Sequence, residues 1–164
     1  MKTVTEQQGG SVPLDEMVCF NLQAAARAVT AVYRPLLEPL GVTYTQYLVL
    51  AVLWEQGDSA VRDLVARLQL DYGTLTPLLK RLEQRGLLTR RRSDQDERTV
   101  IVSLTPEGDA LREQATGIYP VICETFGFTP ERAAEALTVL TSIVDHAAGA
   151  HGIGPDRQGA GSTQ

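Results

Sequence analysis

Apolar residues recur every three or four positions from Asp15 to about Leu37, at Val18, Leu22, Ala25, Val29, Val32 and Leu36. That period predicts a helix with one covered face. Asp15 is its expected N-cap, and Pro35 followed by Pro39–Leu40–Gly41 closes it. Thr43 and Gln46 read as a capping box for a second helix, which runs to about Glu55 and stops at Gly57–Asp58. Val61, Leu64, Val65 and Leu68 predict a short third helix from Ala60 to about Leu68. Asp71 caps a fourth, ending at Gly86, with Leu75, Leu78, Leu79 and Leu82 as its stripe. Pro77 falls inside it, where its missing N–H predicts a kink or an irregular first turn. Leu87–Arg92 and Arg98–Leu104 flank the charged turn Ser93–Glu97 and predict two strands of a hairpin. Thr105 and Pro106 start a fifth helix, which passes Leu111 and Ala115 toward Ile118 and is bent or interrupted at Pro120. Thr129–Pro130 repeats that start signal for a last helix, about Pro130 to Ala147, carrying Ala133, Ala136, Leu137, Leu140, Ile143 and Val144.

The predicted fold is therefore mainly α with a small β-hairpin. The stretch 43–104 has the order of a winged helix-turn-helix. The flanking helices, about 15–40 and 106–148, have apolar stripes with no partner in that centre, so they are expected to act as dimerisation helices against a second subunit. One domain over 14–148 is expected, between a flexible N-terminus (1–13) and a flexible Gly-rich tail (149–164). The 164 residues, 43% hydrophobic and 21% charged, fit one globular domain and exclude a disordered chain. Met1–Pro13 has no signal-type apolar stretch, and the apolar run Tyr47–Trp54 stops at Glu55. The expectation is a cytoplasmic protein that does not enter the membrane.

A formal net charge of -5 by itself disfavours a polyanion partner. The average hides an asymmetry. Lys80–Arg98 holds seven basic residues (Lys80, Arg81, Arg85, Arg90, Arg91, Arg92 and Arg98) against four acidic ones, a balance of +3, while the remainder carries -8. The positive charge thus falls on the fourth helix and the hairpin, where a winged module meets phosphates and grooves. Tyr72, Thr74 and Thr76, near the helix start, are suited to approach base edges. Lys80, Arg81 and Arg85 lie farther along, toward phosphate or an acidic partner, with an intramolecular ion pair left open for Arg81. Arg91 and Arg92 extend the basic surface onto the hairpin. Arg98 is placed to insert into a minor groove, with Asp96 orienting it across the turn.

Two cysteines, Cys19 and Cys123, are too few for a disulfide framework. Cys19 falls in the first turn of the first helix, where free N–H groups favour a thiolate and Asp15 and Glu16 oppose it. Stabilising that thiolate calls for hydrogen bonds, which tyrosine hydroxyls can donate. Tyr33 lies 14 positions on, about 21 Å along a straight helix and close to the same face. The two cannot touch within one chain. Antiparallel pairing of this helix with its symmetry mate would bring Tyr33 of one subunit to Cys19 of the other, with Tyr44 as a second donor. A buried, inert thiol is the alternative for either cysteine. Tyr47 and Trp54 are expected in the core or an interface, as are Phe20 and Leu22; Phe20 is alternatively the wall of an apolar pocket.

The stretch Ser93–Arg98 (SDQDER), with Val100–Gly108 (VIVSLTPEG), resembles the wing and following helix start of the multiple-antibiotic-resistance (MarR-type) winged-helix repressors. The segments Leu14–Phe20 (LDEMVCF), Tyr33–Leu37 (YRPLL), Leu40–Leu48 (LGVTYTQYL) and Gly73–Glu83 (GTLTPLLKRLE) are similar to its organic hydroperoxide resistance regulators. The resemblance spans 14–112; Tyr72 departs from the small residue more often found there. It implies a homodimeric repressor, without cofactor or metal, whose reduced form holds palindromic double-stranded operator DNA in the nucleoid. It further implies that an organic hydroperoxide oxidises Cys19, that Tyr33 and Tyr44 surround that thiol, and that Cys123 closes a disulfide between subunits. Small thiols or a disulfide reductase would restore the reduced form. Two other readings compete: a MarR-type repressor released by a small aromatic or phenolic ligand, and a thiol peroxidase. The latter lacks a Cys-x-x-Cys motif and leaves the basic hairpin unexplained, so no enzyme activity is expected.

Overall fold

A computed structural model describes residues 12–151. Helix α1 (Val18–Leu37) follows a short 3-10 turn at Leu14–Glu16. Asp15 therefore does not cap α1, contrary to expectation. Met17 holds that position without a side-chain bond, and the Asn21 amide secures the turn by donating to the Asp15 and Met17 carbonyls at 2.9 and 3.0 Å. Cys19 still lies in the first turn. Helix α2 (Tyr44–Gln56) begins with the full Thr43–Gln46 capping box. After Gly57 comes β1 (Ser59–Ala60), then α3 (Val61–Leu68). Helix α4 (Tyr72–Gln84) is capped by Asp71, which accepts the Thr74 N–H and runs unbroken through Pro77. The donor lost at Pro77 would have served Gly73, in the first turn.

Strands β2 (Leu88–Arg92) and β3 (Val100–Leu104) form the expected hairpin, with Arg90 opposite Val102. The sheet has a third strand that the sequence reading missed. β1 pairs antiparallel with β3, Ser59 against Val102, giving the order β1-β3-β2. Two residues are too few to show a period. Helix α5 (Pro106–Ala115) is capped by Thr105. It ends before Ile118, and a separate helix α6 (Ile118–Phe126) follows from Gly117. Pro120 thus sits in a first turn, where no donor is required, and does not bend α5. Helix α7 (Pro130–His151) runs past the expected tail boundary at 149. The remaining tail, 152–164, and residues 1–11 lie outside the described residues.

The core joins the end of α1 to the winged module. Leu37, Leu50, Leu53, Leu64, Leu75, Leu79, Leu82, Leu88 and Val102 are essentially inaccessible. The α5 start is pressed against the module. The Trp54 indole donates to the Gly108 carbonyl at 3.0 Å, and Thr105 Oγ1 donates to the Gly86 carbonyl at 2.6 Å. A Cβ on Gly108 would lie 1.9 Å from the Leu87 carbonyl oxygen, which explains the glycine in Thr-Pro-Glu-Gly. The first half of α1 and most of α7 have no such cover. Val18, Leu137, Val139, Leu140 and Val144 are exposed, and so is Phe20, which does not enter the core.

Candidate sensing site and nucleic-acid interface

The tyrosines form one cluster where α1 meets α2. The Tyr33 ring is 4.5 Å from Tyr44 and 5.8 Å from Tyr47, and Tyr47 meets Trp54 edge-on at 6.1 Å. Tyr33 is 7% exposed. Burial, helped by its tyrosine neighbours, pushes its phenol up to about 12. Burial also raises Tyr44 and Tyr47. All three are therefore neutral near neutral pH, the form that donates a hydrogen bond.

The two thiols are free. Cys19 is exposed on α1. With α1 continuous, it stands about 21 Å along the axis from Tyr33 of the same chain. Cys123 is half-buried on α6, a helix that packs against α1. Tyr119, one helical turn before it, is raised above its ordinary value first by hydrogen bonding to the Cys123 sulfur. The sequence reading passed over Tyr119. Its spacing of four from Cys123 on a helix was the available signal. Within one chain, then, the tyrosine cluster stands away from Cys19, and Cys123 lies on α6, a helix packed against α1. Beside it, Thr30, Arg34, Glu38 and Gly41–Tyr44 line an open groove of about 530 Å³. Among the described residues there is no group of three or more side chains suited to hold a metal ion, and no helix is long and apolar enough to cross a membrane.

The α4 face carries Tyr72, Thr76, Lys80 and Arg81, all exposed. Arg81 forms no ion pair among the described residues, so the intramolecular option is not taken. Thr74 is committed to the helix start, with its hydroxyl donating to Asp71 at 2.7 Å. Arg85 turns away from this face. Its guanidinium donates to the carbonyls of Gly41 and Leu40, the latter at 3.3 Å. On the hairpin, Arg91 reaches Asp58 at 3.7 Å and Asp94 at 3.9 Å, and Arg92 donates to the Glu97 carbonyl at 3.1 Å. Asp96 accepts the Arg98 N–H at 3.0 Å and the Thr99 hydroxyl at 2.9 Å; the first of these bonds lowers its carboxyl. Asp96 thus shapes the tip and leaves the Arg98 side chain exposed. A further pair was not foreseen. Arg90 donates to Glu83 through its N–H, Nε and Nη2 at 3.1, 3.0 and 2.6 Å, joining α4 to β2.

Comparison with known proteins identifies the family. The family described as transcriptional regulator SarA/Rot matches residues 31–114. The organic hydroperoxide resistance transcriptional regulator of Bacillus subtilis is 48% identical over 113 residues, covering 69% of this chain and 77% of that protein. Reduced AbfR of Staphylococcus epidermidis, solved bound to DNA, superposes with a TM-score of 0.68 at 32% identity, covering 82% of this chain and 94% of that one. Its disulfide-formed structure gives 0.58 at 33%, covering 80% and 92%. Bordetella bronchiseptica BpsR, whose DNA binding is regulated by 6-hydroxynicotinic acid, gives 0.75 at 28%, covering 83% and 99%. These relatives are regulators and not enzymes, and the chain belongs with the organic hydroperoxide resistance regulators of the MarR-type winged-helix transcriptional regulators.

Proposed function

We propose that this protein is a dimeric, redox-sensing repressor that leaves its operator when an organic hydroperoxide oxidises Cys19. The observation that carries the reading is the separation of the two thiols about Tyr33. Cys123 sits on α6, which packs against α1 of its own chain, and antiparallel pairing of two α1 helices would bring the partner's Cys19 to Tyr33. The uncovered apolar faces of α1 and α7 supply the surface for such a pairing. Tyr33 and Tyr44 hydroxyls then donate to the Cys19 thiolate.

The chemistry balances without a cofactor. The Cys19 sulfur attacks the outer peroxide oxygen, the O–O bond breaks, and the alkoxide leaves as an alcohol after taking a proton. Cys19 is now a sulfenic acid. The Cys123 sulfur attacks it, hydroxide leaves as water, and an intersubunit disulfide forms. Closure requires Cβ atoms roughly 3.5–4.5 Å apart, so α6 moves with its thiol and alters the spacing of the two winged heads. On DNA, α4 presents Tyr72 and Thr76 to base edges, Lys80 and Arg81 to phosphates, and the exposed Arg98 to a minor groove. Disulfide reduction by a thiol restores binding. AbfR, solved both reduced on DNA and disulfide-formed, supports a redox-linked regulator on this fold.

The groove at Arg34 and Tyr44 favours a second reading, release by a small aromatic acid, as BpsR responds to 6-hydroxynicotinic acid. An operator-shift assay separates the two. Wild type should bind when reduced, dissociate after hydroperoxide and bind again after a thiol reductant, while Cys19→Ser should bind and not dissociate. Hydroperoxide release preserved in Cys19→Ser would overturn the redox reading.

A further inference from the structure

Arg85 lies at the C-terminal end of α4, exposed, but its guanidinium is turned to the α1–α2 corner and not to the face of Lys80 and Arg81. It crosses 44 positions of sequence to donate to Gly41, and also to Leu40. Those carbonyls sit in the corner between Tyr33, on the last turns of α1, and Tyr44, the first residue of α2. The corner is built for the contact. Gly41 has φ +65, and a Cβ there would approach the Arg85 Nη2 to 2.8 Å. Its other bonds are short-range: Gly41 N–H to the Glu38 carbonyl, Val42 N–H to that of Leu37, and the Thr43 cap on α2.

We infer that Arg85 is a positioning residue, a strap that carries the state of the Tyr33–Tyr44 site to α4, and not a phosphate contact. What the strap transmits rests on the redox reading above. Its existence as a link does not, because the contact is made within one chain. The mechanism is geometric. A planar guanidinium with two donors to adjacent carbonyls fixes both distance and orientation. Any change that shifts the tyrosines therefore pulls on the corner, and the corner on the end of α4. Two discrete arrangements of a packed element are what such coupling requires.

The test uses full-length Arg85→Gln and Arg85→Lys beside wild type. Operator affinity is measured across a salt series for reduced and hydroperoxide-treated protein. The slope of log affinity against log salt should stay at the wild-type value in both variants, because no phosphate contact is removed. The ratio of reduced to oxidised affinity should shrink by about tenfold in Arg85→Gln, with Arg85→Lys between that and wild type. A slope lower by about one, or an unchanged ratio, would overturn the strap. Amide exchange on the reduced proteins supplies an arm independent of the oxidant. In Arg85→Gln, exchange should speed up together at Val42, Gln46 and Tyr47 on one side and at Gly86 and Leu87 on the other. Faster exchange at the α4 end alone would also overturn it. Wild type that stays on DNA after hydroperoxide would instead remove the redox reading, and the exchange arm would still decide whether the strap exists.

Discussion

In the proposed sensor the value of Tyr33 lies in its staying protonated, and its burial secures that. A phenol pushed to about 12 remains a donor throughout the physiological range. The same burial makes a stability prediction. The folded value lies above the ordinary value of 10.0, so the contribution is complete below pH 10 and is lost as pH rises through 12. The melting temperature should therefore fall between those limits, and Tyr33→Phe should fall less steeply, with Tyr44 and Tyr47 supplying the remaining slope. Equal slopes in thermal scans from pH 9 to 12 would count against a buried, titrating Tyr33. The sequence pointed to Tyr33 and Tyr44 through their spacing from Cys19 and through family resemblance. It did not point to Tyr119, nor show that α6 packs against α1, because that neighbourhood depends on how α6 leaves α5 at Gly117.

Elements were legible where the signal was local. Thr43, Asp71 and Thr105 each cap their helix as read, since capping needs only a hydroxyl or carboxylate and the N–H groups just beyond it. Signals failed where they spanned the chain. β1 exists because β3 offers it an edge, and Glu83 meets Arg90 only after the chain turns from α4 into β2. That pair sets the wing against the helix it works with. Hydrogen bonding from Arg90 holds the Glu83 carboxyl below its ordinary value, so its contribution is present above the usual carboxylate range and is lost as pH falls. With both side chains about a third exposed, screening reduces the pair to about 1 kcal/mol. Glu83→Gln should lower stability by that order in denaturant titration. It should also weaken operator binding without changing the salt slope, because Glu83 meets no phosphate and its loss frees only the wing. A variant equal to wild type in both measurements would show that the wing is positioned by the β-ladder alone.

At the scale of the molecule, one chain is half of a device. A net charge of -5 is a +3 reading segment on a -8 body, and two chains would present two basic heads from one acidic frame. The single chain leaves Val18 at 66% exposed and Leu137 at 64%, faces that a second copy would cover. The thiols impose the same conclusion by distance. Cys123 lies on α6, which packs against α1, Cys19 lies about 21 Å from Tyr33 along α1, and a disulfide spans under 7 Å between Cα atoms. A bond between them is therefore expected across subunits. Mixing makes this decisive. Cys19→Ser and Cys123→Ser, each treated with hydroperoxide alone, should remain monomeric on a non-reducing gel. Subunits of the two variants, unfolded together and refolded, should give mixed dimers in which one chain supplies Cys19 and the other Cys123. Half of the refolded dimers are then competent for a single bond, and a crosslinked band should appear that a thiol reductant removes. A band in either variant alone would assign the bond to two copies of one cysteine. No band from the mixture, with wild type also staying monomeric on the gel while both its thiols are consumed, would place the bond inside one chain.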